Sequence, residues 1–91
     1  MSRENFGRFA WTRLARVLEH LQVDAASRAE SAAIELHALA SETEEFGLSS
    51  VATTARHAAQ LARKWQRGDE PMAARVRLVA LMREMRRELQ A

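Results

Sequence analysis

The chain has 91 residues, of which 47% are hydrophobic and 29% charged, and it contains no cysteine. This length supports one hydrophobic core, so we expect residues 1–91 to form a single domain. The lack of cysteine excludes disulfides, thiolate nucleophiles and cysteine-ligated metal sites. No apolar run approaches the roughly 20 residues of a membrane-spanning helix, and the polar first residues do not resemble a secretory signal, so we expect a cytoplasmic protein.

The net charge of +2 conceals two halves of opposite sign. Residues 1–46 hold five arginines against eight aspartates and glutamates, whereas residues 47–91 hold nine arginines and lysines against four acids. Such a separation of charge can steer a charged partner towards the protein. Each single charge is most simply explained as part of a solvated helical face.

The first helix is predicted over residues 6–22, where apolar residues recur at three- and four-residue spacing. Asp24 follows and is a suitable N-cap for the second helix, which is predicted over residues 25–45. Gly47 is predicted to end this helix in a left-handed conformation. The inner stripe of the second helix has the spacing of a bundle seam and comprises Ala29, Ala32, Leu36, Leu39, Thr43 and Phe46.

The third helix is predicted over residues 49–66, with Ser49 or Ser50 as its cap and small residues on its inner face. Residues 67–71 form the clearest break in the chain, because Gly68 stops a helix and Pro71 fits the first turn of the next one, which Asp69 can cap. The fourth helix is predicted over residues 71–89. Its broad apolar side comprises Met72, Val76, Leu78, Val79, Leu81, Met82, Met85 and Leu89.

The predicted fold class is all-α, an antiparallel four-helix bundle with up-down-up-down topology. The connections between the helices are only a few residues long, so consecutive helices should run antiparallel. Ala and Arg are abundant and Gly and Pro are few, a composition that favours helices.

Few residues of the chain are suited to chemistry. The glycines are isolated, which is not the pattern of a phosphate-binding loop, and His20, His37 and His57 lie on three different helices without metal-ligand spacing. Glutamates 42, 44 and 45 look like the exposed end of a helix. By spacing alone, His37 is a histidine at the edge of a helical seam, although a reachable imidazole is a competent nucleophile.

The segment His37–Gly47, with the sequence HALASETEEFG, resembles the phosphoacceptor segment of histidine-containing phosphotransfer domains. In that family an apolar residue lies two positions after the histidine and a small residue four positions after it. An apolar–glycine pair follows at nine and ten positions, and another apolar residue at fourteen. Ala40 stands where the family usually carries a lysine. The matching positions are occupied here by Leu39, Ser41, Phe46, Gly47 and Val51.

This resemblance implies a phosphorelay domain. The Nε2 atom of His37 would accept a phosphoryl group from the aspartate of a response-regulator receiver domain, or from a histidine kinase, and pass it on. Such a protein is a phosphocarrier rather than a true enzyme and needs no cofactor, because the Mg²⁺ ion belongs to the partner receiver domain.

The resemblance also implies a partner-binding surface around His37. Ile34 would offer an apolar contact one helical turn away, and acidic residues would select the partner by charge. In the family, a residue of the third helix often hydrogen-bonds the imidazole ring. Ala59 stands at this position and cannot form such a bond, so the neighbouring Gln60 is the candidate for orienting the ring. The partner-binding residues would be Ala33, Ile34, Ala40, Ser41 and Glu44.

Three other interpretations stay open. A relative that kept the bundle and the docking surface could be a non-catalytic adaptor that binds a receiver or kinase domain. A helical interaction or dimerisation module of unrelated ancestry would owe the motif to chance. Nucleic-acid binding through the five arginines of the fourth helix is weaker, because they are spread around the helix. The sequence leaves open a monomer or homodimer, with Trp11 and Trp65 as core residues or interface anchors.

Overall fold

A computed structural model describes residues 3–21 and 26–90 of the chain. Four helices follow one another: α1 (Arg3–Leu21), α2 (Ala26–Glu45), α3 (Ser49–Arg67) and α4 (Pro71–Gln90). The described residues form no strand. The predicted cap at Asp24 and the predicted helix ends at residues 22 and 25 lie outside the described residues.

The four helices pack as a ring in which each helix contacts two others. The packed pairs are α1 with α2, α2 with α3, α3 with α4, and α1 with α4. In the described residues α2 and α4 do not contact each other, so they lie on opposite sides of the molecule. The prediction of an all-α four-helix bundle is confirmed.

Each helix contributes one apolar stripe to the core, at the spacing that places side chains on one helical face. Burial of a large apolar side chain stabilises the fold by about 1.5–3 kcal/mol. The largest fully buried side chains include Leu14, Leu36, Leu39, Leu78, Met82 and Met85. The inner face of α3 is made mainly of small residues, as predicted, and its buried alanines are Ala52, Ala55, Ala58, Ala59 and Ala62.

A left-handed glycine ends α2, as predicted. Gly47 has φ 76°, and its N–H donates to the carbonyl of Glu44 while the N–H of Leu48 donates to the carbonyl of Thr43. These two bonds satisfy carbonyls that the end of a helix otherwise leaves without partners. Gly68, with φ 73°, ends α3 in the same way. Both turns reverse the chain and so place consecutive helices side by side.

The predicted serine cap of α3 is wrong. The residue that precedes this helix is Leu48, with φ −91° and ψ 64°, and no side-chain hydrogen bond caps the helix. Its carbonyl already accepts the N–H of Ala52 at 3.0 Å. Because the turn after α2 uses the N–H of Leu48, the chain enters α3 directly and Ser49 becomes its first helical residue. Pro71 is the first residue of α4, as predicted.

Three residues predicted to face the core are exposed: Phe46 by 41%, Met72 by 75% and Val76 by 67%. Phe46 follows the last residue of α2 and therefore leaves the helical register. In α4 the buried residues include Ala74 and Leu78. Met72 and Val76 precede these two by two positions each, which is a rotation of about 200° around the helix. They consequently lie on the outer side of α4.

The two tryptophans differ in burial. Trp65 is only 3% exposed and belongs to the core, whereas Trp11 is half-buried at the edge of α1.

None of the helices in the described part of the chain combines the length and apolar character needed to cross a membrane.

Candidate functional site

His37 lies in the middle of α2 and is exposed. The residue before it, Leu36, and the residue two positions after it, Leu39, are both fully buried. These two leucines fix the rotation of the helix, and a step of about 100° from Leu36 carries His37 out of the core. Among the described residues, no hydrogen bond or ion pair engages the imidazole ring. The ring is therefore reachable by a partner molecule.

Small residues flank His37 on the side of the bundle interior. Ala33 precedes it by four residues and is 0% exposed, and Ala40 follows it by three and is 3% exposed. Their methyl groups are small and buried, so no bulky side chain projects beside the imidazole ring at these two positions. The alanines themselves offer almost no surface for contact with a partner. Ile34, which is 57% exposed, and Ser41, which is also exposed, supply the accessible neighbours.

Glu44 is exposed two turns along α2 from His37, where its carboxylate forms an ion pair with Arg56 of α3. This pair places one arginine of α3 at the edge that faces α2. An ion pair this exposed contributes little to stability. It nevertheless offsets the negative charge that Glu44 brings to the His37 surface.

Arg63 lies on the same stripe of α3 as Arg56, because seven residues are about two helical turns. His37 precedes Glu44 by seven residues, and α2 and α3 run antiparallel. The Glu44–Arg56 pair therefore sets Arg63 at about the same level of the bundle as His37. The Nη1 atom of Arg63 donates to the Oε1 atom of Gln66 at 3.0 Å. Arg63 thus places a positive charge at this level of the bundle, on the stripe of α3 that also holds Arg56.

On the other side of α2, Arg13 of α1 joins two glutamates of α2. Its Nη1 atom donates to Glu35 at 2.6 Å, and its Nε and Nη2 atoms donate to Glu42 at 3.1 and 2.8 Å. The bond to Glu42 is the main cause that raises the pKa of Arg13 above its ordinary value, so the guanidinium stays charged. This clamp fixes α2 against α1. Glu42, predicted as part of an exposed acidic cluster, is half-buried in it.

Gln60 is exposed on α3 and lines the groove between α3 and α4 together with His57 and Lys64. In the described residues no hydrogen bond joins Gln60 to the ring of His37. The three histidines are not brought together: His57 belongs to this groove, and His20 lies 3.4 Å from the guanidinium of Arg28. Of the three histidines, His37 is the one on α2, where it is exposed on the outer face.

Sequence reasoning missed the three arginines that frame α2. Arg56 and Arg63 are separated by seven residues on α3, a spacing that places both on one stripe and could have indicated a basic edge. The clamp of Arg13 had no such signal, because its partners lie 22 and 29 residues away in the chain. Pairings of this kind depend on how the helices pack.

Comparison of the chain with family models, curated proteins and solved structures finds no match.

Proposed function

We propose that the chain is a phosphorelay domain in which His37 accepts a phosphoryl group and passes it on. The observation that carries the proposal is an exposed imidazole, engaged by no described residue, midway along the outer face of α2 in a four-helix bundle. The motif residue Gly47 supports it by ending the same helix with φ 76°. In this arrangement the bundle serves as a rigid support for one nucleophile.

The chemistry required of the chain is small. The lone pair of Nε2 attacks the phosphorus of an aspartyl phosphate, the N–P bond forms, and the P–O bond to the aspartate breaks. The carboxylate leaves with the bonding electrons, while Nδ1 of the ring keeps its proton. The reverse step returns the phosphoryl group to another aspartate. Positioning and charge stabilisation dominate such transfers, and the partner supplies the Mg²⁺ ion, so the chain itself needs no cofactor.

The surroundings of His37 support a docking surface for a receiver or kinase domain. The low surface over Ala33 and Ala40 lets a concave site close over the ring, and Ile34 offers an apolar contact. Arg63 supplies positive charge at the level of the ring, in the absence of a lysine at position 40. An arginine near a phosphoryl group stabilises its negative charge through charge-assisted hydrogen bonds. A cytoplasmic location, where the partners act, belongs to the same proposal.

Transfer from a phosphorylated receiver domain tests the proposal directly. The full chain is mixed with a panel of receiver domains carrying labelled aspartyl phosphate, and acid-labile label on the chain is measured. The wild type should acquire label and His37→Gln should acquire none, because glutamine has no imidazole nitrogen to form the N–P bond. Arg63→Ala should slow the transfer without abolishing it.

His57→Gln is the matched control, because His57 is also exposed but lies in the groove between α3 and α4. It should acquire label as the wild type does. Absence of label on the wild type across the panel would refute phosphoryl transfer. Receiver binding without label, lost on Ile34→Glu, would instead identify the chain as an adaptor.

A further inference from the structure

The outer side of α4 exposes an unusual amount of apolar surface. Met72 is 75% exposed and Val76 is 67% exposed, more than any other large hydrophobic residue among those described. Four residues separate them, so they lie one above the other on the same stripe of the helix. Three residues further on, Val79 continues this stripe and packs partly against the core.

A groove between α1 and α4 adjoins the stripe. It has a volume of about 480 Å³ and is lined on the α1 side by Trp11, Ala15 and Leu18. Val79 and Arg86 line the α4 side, and the guanidinium carbon of Arg86 lies 4.7 Å from the centre of the Trp11 ring. Apolar surface therefore extends from the stripe to the flank of α1. Exposed apolar side chains that group together in this way mark interaction sites in many proteins.

The two ends of α4 carry opposite charges. Between them, Arg75 donates to the carbonyl of Leu21 and Arg77 lines the groove between α3 and α4, so both lie beside the stripe rather than on it. Asp69 and Glu70 precede the helix, and Arg83, Arg86 and Arg87 lie in its last turns, where they line one hollow together with Ala80. Glu84 and Glu88 are turned about 80–120° away from the stripe at Val76. No ion pair within the described residues involves Glu84, Glu88, Arg83 or Arg87. The charges on this face are available to a partner.

A helix face with acids at one end, arginines at the other and apolar residues between them is complementary to itself. In a pair whose twofold axis is perpendicular to α4, the two copies of the helix run antiparallel, so each acidic end meets a basic end. Pairing at the level of residue 78 would bring Asp69 next to Arg87 of the second copy. It would also bring Val76 next to Val79 and Ala80 of the second copy. A parallel arrangement would place the arginines against each other.

We infer that the α4 face, defined by Met72, Val76 and Val79 with the adjoining α1 groove, is the contact surface of an antiparallel homodimer. Burial of this apolar stripe drives the association, and the paired charges at the two ends set its direction. Because α2 lies on the opposite side of the bundle, His37 would be exposed in both copies. Pairing through this face requires no phosphoryl transfer at His37.

The mass of the full chain in solution tests this inference. Sedimentation equilibrium over a dilution series should give twice the chain mass of 10.3 kDa at high concentration. Val76→Asp should raise the dimer dissociation constant by about tenfold or more, because it places a charge in the centre of the apolar contact. Circular dichroism should show unchanged helicity, because Val76 is exposed within one copy.

Ile34→Asp is the matched control. Ile34 is 57% exposed on α2 and should leave the dissociation constant unchanged. A wild type that stays monomeric would overturn the inference and leave the groove to a partner of another kind. A dimer that resists Val76→Asp but is lost on Ile34→Asp would overturn it as well.

A charge exchange tests the direction of pairing. Asp69→Arg alone and Arg87→Glu alone should each weaken the dimer by roughly fivefold, more strongly at low salt. The double variant should restore it, because each residue meets the other across the twofold axis. Failure of the double variant to recover the affinity of the wild type would rule out the antiparallel pairing.

Discussion

The helices α2 and α4 each span 20 residues and lie on opposite sides of the bundle, yet their outer faces differ. On α2, His37 is exposed, and arginines of the neighbouring helices form ion pairs with glutamates of the same helix. On α4, Met72 and Val76 lie uncovered beside a groove, between acids at one end and arginines at the other. The same core packing therefore supports a polar outer face on α2 and a partly apolar outer face on α4.

The largest expected effect is a separation of the two faces by single substitutions. His37→Gln should abolish phosphoryl label and leave the mass in solution unchanged, because the residue lies away from α4. Val76→Asp should weaken the proposed dimer and leave the initial rate of labelling unchanged. Label transfer and sedimentation are measured on the same preparations. If either substitution altered both properties, the two faces would not be independent.

Within α4, the inner and outer residues should differ strongly in their effect on folding. Leu78 is fully buried, so Leu78→Ala should lower the free energy of unfolding by about 2–5 kcal/mol. Val76→Ala, measured at a dilution where the chain is monomeric, should change it by about 0.5 kcal/mol or less. Urea denaturation followed by circular dichroism gives both values. Equal losses would mean that Val76 belongs to the core.

In the clamp between α1 and α2 one guanidinium holds two carboxylates, so its removal should be costly. Arg13→Met should lower the free energy of unfolding by roughly 1–3 kcal/mol, because it leaves two half-buried carboxylates without their donor. Arg16→Met is the control. Arg16 is 57% exposed and its Nη1 atom lies 3.7 Å from Glu35, so the expected loss is about 0.5 kcal/mol or less.

The raised pKa of Arg13 also predicts how the effect of Arg13→Met on stability depends on pH. Since the folded state raises that pKa, the arginine's own contribution is fully present below its ordinary pKa and is lost only as the pH rises through the raised value. The difference between the wild type and Arg13→Met should therefore be the same at about pH 6 and about pH 9. A difference that fell across this range would show that the loss has another origin.

The smallest expected effect concerns the turns that bring both faces into position. Gly47→Ala should lower the free energy of unfolding by about 1 kcal/mol, because a side chain at positive φ is strained. An added methyl group at Gly47 would meet no atom within 4 Å, so the cost comes from the backbone alone. Gly68→Ala, with φ 73° and equally open surroundings, should cost the same in urea denaturation. A much larger loss at Gly47 would indicate a packing role that the open space does not explain.

Much of the fold could be predicted from the sequence because its signals are local. The periodicity of apolar residues predicts four helices, and the glycines at 47 and 68 predict where two of them end. His37 could be placed on the edge of the α2 stripe by counting from Leu36 and Leu39. The cap of α3 could not be predicted from the sequence. The turn after Gly47 makes Leu48 the residue that precedes α3, so neither serine occupies the cap position.

The apolar pattern by itself determined that this chain folds as four short helices and that His37 lies outside their common core, because each follows from residues within a few turns of one another. Only the tertiary structure decided which apolar residues of α4 stay uncovered, since Met72 and Val76 face the side where no further helix packs. It also decided that Arg13 and Arg56 hold the acids of α2, because those partners meet only when the helices come together.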